Sequence, residues 1–201
     1  GAFFVNGASA VFLQHSVISL SSAVQHGGVI YLVGDSSTTF VIACDVSDST
    51  AALGGVVYAL LGGRASISCK SKISHSSASV VGGVLFAQGG VLSLSDGCLI
   101  SHSRANENGG MLGCLLSIYM MNNCTIERST VSETVNGGGA IWFGVSTYCA
   151  ISNYSTIAHS TAMGEPSQGG AIYGYSSTLE MSLGCRILHS TAANVRLLEP
   201  R

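Results

Sequence analysis

A pair of glycines followed by apolar residues recurs along this chain: GGVIY at 27, GGVVY at 54, GGVLF at 82, GGMLG at 109, GGAIW at 138 and GGAIY at 169. The chain opens GAFF, a seventh copy with one glycine. The second glycines, Gly28, Gly55, Gly83, Gly110, Gly139 and Gly170, together with Gly1, are spaced by 27, 27, 28, 27, 29 and 31 residues. A period of this length restricts the chain to an architecture in which each unit buries its apolar face against the next. No break in phase marks a domain boundary, so residues 1–201 read as one domain.

A second motif, Ile/Val-x-x-Ser-x-Ala/Val, returns in phase from Ile18, Val46, Ile73, Ile100, Ile126, Ile157 and Ile187. Between the two motifs the pattern alternates, most clearly in Leu179-Glu180-Met181-Ser182-Leu183 and Leu116-Ser117-Ile118-Tyr119-Met120, which is the period-2 signature of a strand. No segment sustains the helical i, i+3, i+4, i+7 spacing, and paired glycines with abundant Ser, Thr and Val form helices poorly. The expected fold is therefore all-β: a right-handed parallel β-helix solenoid of seven coils, each holding about three short strands, starting near residues 1, 28, 55, 83, 110, 139 and 170. At about 4.8 Å per coil the rod is roughly 34 Å long.

In such a solenoid equivalent positions stack into ladders. The Ile/Val of the second motif and the Ala/Val five residues later are expected to face inward. The serines between them, Ser21, Ser49, Ser76, Ser103, Ser129, Ser160 and Ser190, are expected to satisfy buried backbone groups at a turn. The second glycine of each pair suits a corner where no side chain fits or where φ is positive. Phe4, Tyr31, Tyr58, Phe86, Trp142 and Tyr173 form an aromatic column interrupted by Gly113, on the face opposite Ile30 and its equivalents. That second apolar face calls for cover by a partner or loop, with further parts of the same protein as the expected cover, or else forms an exposed stripe.

Titratable side chains follow the same phase. His75, His102, His159 and His189 share one position, occupied elsewhere by Leu20, Asp48 and Arg128. Stacked imidazoles are metal ligands in some proteins, but Arg128 separates the two pairs, so a solvated turn ladder is expected and no cofactor is implied. Cys44, Cys98, Cys124 and Cys185 all lie two residues before the core Ile or Val, a place for a small buried group. Cys98 and Cys124, in adjacent coils, are the candidate disulfide. No C-x-x-C pair signals zinc. The triplets Asn123-Cys124-Thr125 and Asn153-Tyr154-Ser155 are candidate glycosylation sites.

Only 9% of residues are charged, against roughly 25% in an ordinary soluble domain. The net charge of −2, with no basic run, offers no footprint for nucleic acid or anionic lipid. Ser, Asn, Gln, His and Gly interrupt the charge-free stretches, so no membrane span is expected. The chain has no initiator Met or signal-peptide pattern and is expected to be a piece of something longer. Neither end carries an evident cap, so further coils of the same chain or other subunits are the expected partners there.

The alternation of GGAI-type motifs, best seen in GGAIY at 169, with the segment ILHSTA from Ile187 resembles the polymorphic outer-membrane protein repeats and related pectin-lyase-like β-helices. This chain places Ile and Ser where those repeats have Phe and Asn. The resemblance implies the fold and an extracellular or cell-surface adhesive or structural role, with glycans among the candidate partners. Pectin-lyase-like folds also include polysaccharide lyases and hydrolases, whose chemistry needs clustered acids beside a basic residue. The nearest cluster here is Asp35, Asp45 and Asp48, with no Arg or Lys before Arg64, so a non-catalytic chain is expected. A further alternative is carbohydrate or ice binding by the outward row Ser22, Thr50, Ser77, Thr130, Thr161 and Thr191, which Arg104 interrupts.

Overall fold

The computed structural model describes residues 1–7, 10–35, 38–133, 137–163 and 169–192. These residues form a parallel β-solenoid of seven coils whose strands stack in four sheets, without a helix among the described residues. Coil four illustrates the path: Leu85–Gln88 in the first sheet, Val91–Leu94 in the second, Leu99–Ser101 in the third and Arg104–Ala105 in the fourth. The first three sheets have seven strands and the fourth has six, which an isolated bridge from Ser22 to Thr50 extends into coil one.

Four strands per coil replace the three expected. The Ile-x-x-Ser-x-Ala motif is not one strand but two, bent at the residue two after the Ile. Leu20, Asp48, His75, His102, Arg128, His159 and His189 all sit there with φ between 50° and 55°. A left-handed residue of this kind turns the chain sharply without glycine, and Asp and His tolerate it better than most. Only Leu20 and Arg128 lie outside that preference.

Both glycines of a pair are required, for different reasons. The first has positive φ, from 53° at Gly27 to 84° at Gly138. The second lies against the fourth-sheet backbone of its own coil, and a Cβ on Gly83 would overlap the carbonyl of Arg104. The coil therefore closes through direct backbone contact, which no other residue permits.

The interior is a continuous, mainly apolar core. Ile73 pairs in register with Val46 and Ile100, Ile100 with Ile126, and Ile126 with Ile157. All of these are buried, as are Ala51, Ala78, Ala105, Val131 and Ala162 on the fourth sheet. Each fully buried Ile or Leu contributes about 1.5–3 kcal/mol relative to leaving it exposed.

The outward aromatic column also forms in register, from Phe4 through Tyr31, Tyr58 and Phe86 to Gly113, Trp142 and Tyr173. Tyr58 and Phe86 stack at 5.3 Å and 10°. In the middle coils their cover comes from this chain itself and not from parts beyond it. Leu53, Val80 and Val81 pack on the column, and His26 stacks on Tyr58 at 4.7 Å. Val81 fills the space that a side chain at Gly113 would take.

Candidate functional site

The outer surface of the fourth sheet, with the corner joining it to the third, carries the densest set of polar and titratable groups placed by the repeat. Strand alternation turns Thr50, Ser77, Arg104, Thr130, Thr161 and Thr191 outward in one register-matched row. A groove of about 460 Å³ runs over coils one to four, with Thr50, Ser77, Ser79, Arg104 and Asn106 among its walls. Arg104 is exposed and brings a guanidinium into a row of hydroxyls. The Thr191 hydroxyl donates to that of Thr161 at 3.4 Å, linking the row between coils six and seven.

The four histidines occupy the corner, exposed and stacked in pairs. The rings of His75 and His102 are 4.8 Å apart at 10°, and those of His159 and His189 are 5.1 Å apart at 12°. Arg128 lies between the pairs, with Nη1 3.2 Å from His102 Nε2. No group of three or more His, Cys, Asp or Glu side chains with metal-binding geometry occurs among the described residues.

The ladder serines lie just inside this corner. Ser49, Ser76, Ser103, Ser129 and Ser160 are buried, and Ser21 and Ser190 partly so. Ser49 Oγ donates to Ser47 O at 3.2 Å and Ser76 Oγ to Ser74 O at 3.3 Å, each bracing the carbonyl just before the left-handed residue. The hydroxyls of Ser103 and Ser129 are buried without a protein partner.

Cys98 and Cys124, the candidate disulfide, are present as two buried thiols in adjacent coils. Hydrogen bonding to Cys124, followed by burial, pushes the Cys98 thiol far above its ordinary range. Their position in the coil accounts for the residue type. Two residues before the core Ile or Val the seven coils carry Ser16, Cys44, Ser71, Cys98, Cys124, Ser155 and Cys185. Ser71 Oγ donates to Ser68 O at 2.7 Å and Ser155 Oγ to Ser152 O at 2.6 Å, while Cys98 Sγ donates to Ser95 O at 3.0 Å and Cys185 Sγ to Ser182 O at 2.8 Å. Cysteine and serine thus do one job at the turn between the second and third sheets, and serine at the same phase is the sequence signal for it.

Asn123 and Asn153 share that turn, at φ of 50° and 52°, with Asn123 exposed and Asn153 half-buried. Left-handed backbone favours Asn on its own account. The three acids do not gather: Asp45 and Asp48 lie on the third sheet and its corner, whereas Asp35 lies across the coil beside Gly62. Sequence reasoning also missed Tyr119, whose side chain is fully buried and whose hydroxyl has no protein partner. Burial holds it protonated well above the usual tyrosine range.

No family model matches the chain, and neither the curated proteins nor the solved structures contain a match to it. The resemblance to outer-membrane and pectin-lyase-like repeats is therefore one of motifs, and the class defined by the fold is the parallel β-solenoid repeat protein. Among the described residues no helix is long and apolar enough to cross a membrane.

Proposed function

We propose that this chain is a non-catalytic segment of a structural or adhesive rod belonging to an extracellular or cell-surface protein. The observation that carries the reading is the concentration of repeated residues on coil closure and stacking: a steric glycine, a left-handed corner and a buried serine or thiol turn in coil after coil. The exposed strand edges of the first and seventh coils are where further coils or another subunit pair. Asn123 and Asn153 are its glycosylation sites. Surface labelling of intact cells with an antibody to the chain tests the location, and detection only after permeabilisation would overturn it. Incubation with pectate or alginate is expected to release no product, and turnover abolished by Asp45→Ala would replace this reading with a polysaccharide-active enzyme.

A second reading, carbohydrate binding by the fourth sheet, is favoured by one observation. The hydroxyl row Thr50, Ser77, Thr130, Thr161 and Thr191 is regular and outward, with Arg104 set into it.

A further inference from the structure

The chain is weakly acidic overall, yet its cations are not spread evenly. Along the strands of the third and fourth sheets and the corner between them, coils three to seven present Lys72, Arg104, Arg128 and Arg186, all exposed. One carboxylate, Glu127, shares those strands. Asp45 and Asp48 of coil two adjoin the stripe at one end, Asp45 in register with Lys72 and Asp48 at the corner position next to His75, while Glu107 and Glu133 lie just beyond the strands of the fourth sheet. His75, His102, His159 and His189 line the same corner, so coils three to seven each place either an imidazole or the Arg128 guanidinium at one point of the cross-section. Successive points are about 4.8 Å apart.

We propose that this corner is a docking surface for an acidic glycan chain laid along the rod, and that it engages the chain more tightly as the imidazoles take up protons. The choice of a glycan rests on the extracellular-rod reading; the charge argument does not. The column is one residue wide and linear, which suits a flexible polymer bearing a carboxylate or sulfate on its units. Ser77, Thr130 and Thr161 beside it offer hydrogen bonds to sugar hydroxyls. Protonating both members of a stacked pair sets like charges about 5 Å apart, and protonating His102 removes the lone pair that faces Arg128. An anion lying along the column relieves both repulsions, so binding and proton uptake are linked.

The test is binding of unglycosylated protein to immobilised alginate at about 0.15 M salt, with neutral dextran as the control, at pH 5.5 and pH 7.5. The expected result is binding to alginate but not dextran, about tenfold tighter at the lower pH. The quadruple variant His75→Asn, His102→Asn, His159→Asn and His189→Asn keeps the left-handed corner, since Asn tolerates it, and is expected to lose the pH gain. Arg104→Gln is expected to weaken binding at both pH values, and Arg64→Gln, on the second sheet, at neither. Binding without pH dependence, equal loss from Arg64→Gln and Arg104→Gln, or binding of duplex DNA or phosphatidylserine vesicles as tight as that of alginate would each overturn the proposal. Because it uses isolated protein, the assay reads independently of where the native protein resides.

Discussion

Gly83 precedes Arg104 along the chain but lies directly against its backbone across the closed coil, and a Cβ on Gly83 would overlap the Arg104 carbonyl oxygen. The contact makes the second glycine of each pair a steric requirement. Gly83→Ala is therefore expected to cost about 3 kcal/mol or more, since the fourth sheet must move away from its neighbours. Gly97, at φ of 80° with only Lys70 Cγ near its would-be Cβ, carries the backbone strain alone. Gly97→Ala is expected to cost about 1–2 kcal/mol. Urea denaturation of the two variants checks the ranking.

The aromatic column is expected to be energetically uneven. Phe86, 4% exposed and stacked on Tyr58, should lose about 3–5 kcal/mol on replacement by Ala. Phe4, 66% exposed in coil one, should lose less than about 1 kcal/mol by the same change. Thermal unfolding of both variants measures the difference.

Thiol chemistry should report the ladder. Cys69 is exposed, Cys185 half-buried, and Cys44, Cys98, Cys114, Cys124 and Cys149 buried. A thiol reagent applied to native, reduced protein is expected to label Cys69 first and the five buried cysteines only on unfolding. Rapid labelling of Cys98 and Cys124 in the native state would contradict their place at the inner turn.

Alkali should destabilise the rod in a defined window. Burial, then the neighbouring Tyr31, raises Tyr58 to about 12 from an ordinary value of 10.0, and burial raises Cys149 to about 12 from 9.0. In both cases the native state holds a proton that the unfolded state releases. Their contribution is thus fully present below about pH 9 and is lost as pH rises towards 12. Unfolding free energy measured against pH is expected to fall across that range, and Tyr58→Phe should flatten part of the slope.

The coil period, the inward Ile ladder and the paired glycines were legible because each imposes the same residue at the same phase. Two features were hidden. The corner after the third sheet uses Asp, His, Leu or Arg in place of glycine, so nothing in the pattern marks a break and two strands read as one. The basic stripe was hidden because each coil contributes only one or two charges, such as Lys72, His102 and Arg128. Only the stacking of the coils brings them into line. Cover of the aromatic column by Val80 and Val81 was equally invisible, since it depends on how the chain folds back before Gly82.

The inward and outward assignment of the third sheet and its corner underlies the whole account, and the pair Ile100→Asp and His102→Ala tests it most directly. Ile100 is fully buried between Ile73 and Ile126, and His102 is exposed two residues later. Ile100→Asp places an unpaired carboxylate in an apolar core and is expected to cost several kcal/mol, enough to abolish cooperative unfolding. His102→Ala is expected to stay within about 1 kcal/mol of the parent. Comparable loss from the two substitutions in the same denaturation experiment would contradict the parallel solenoid with this register.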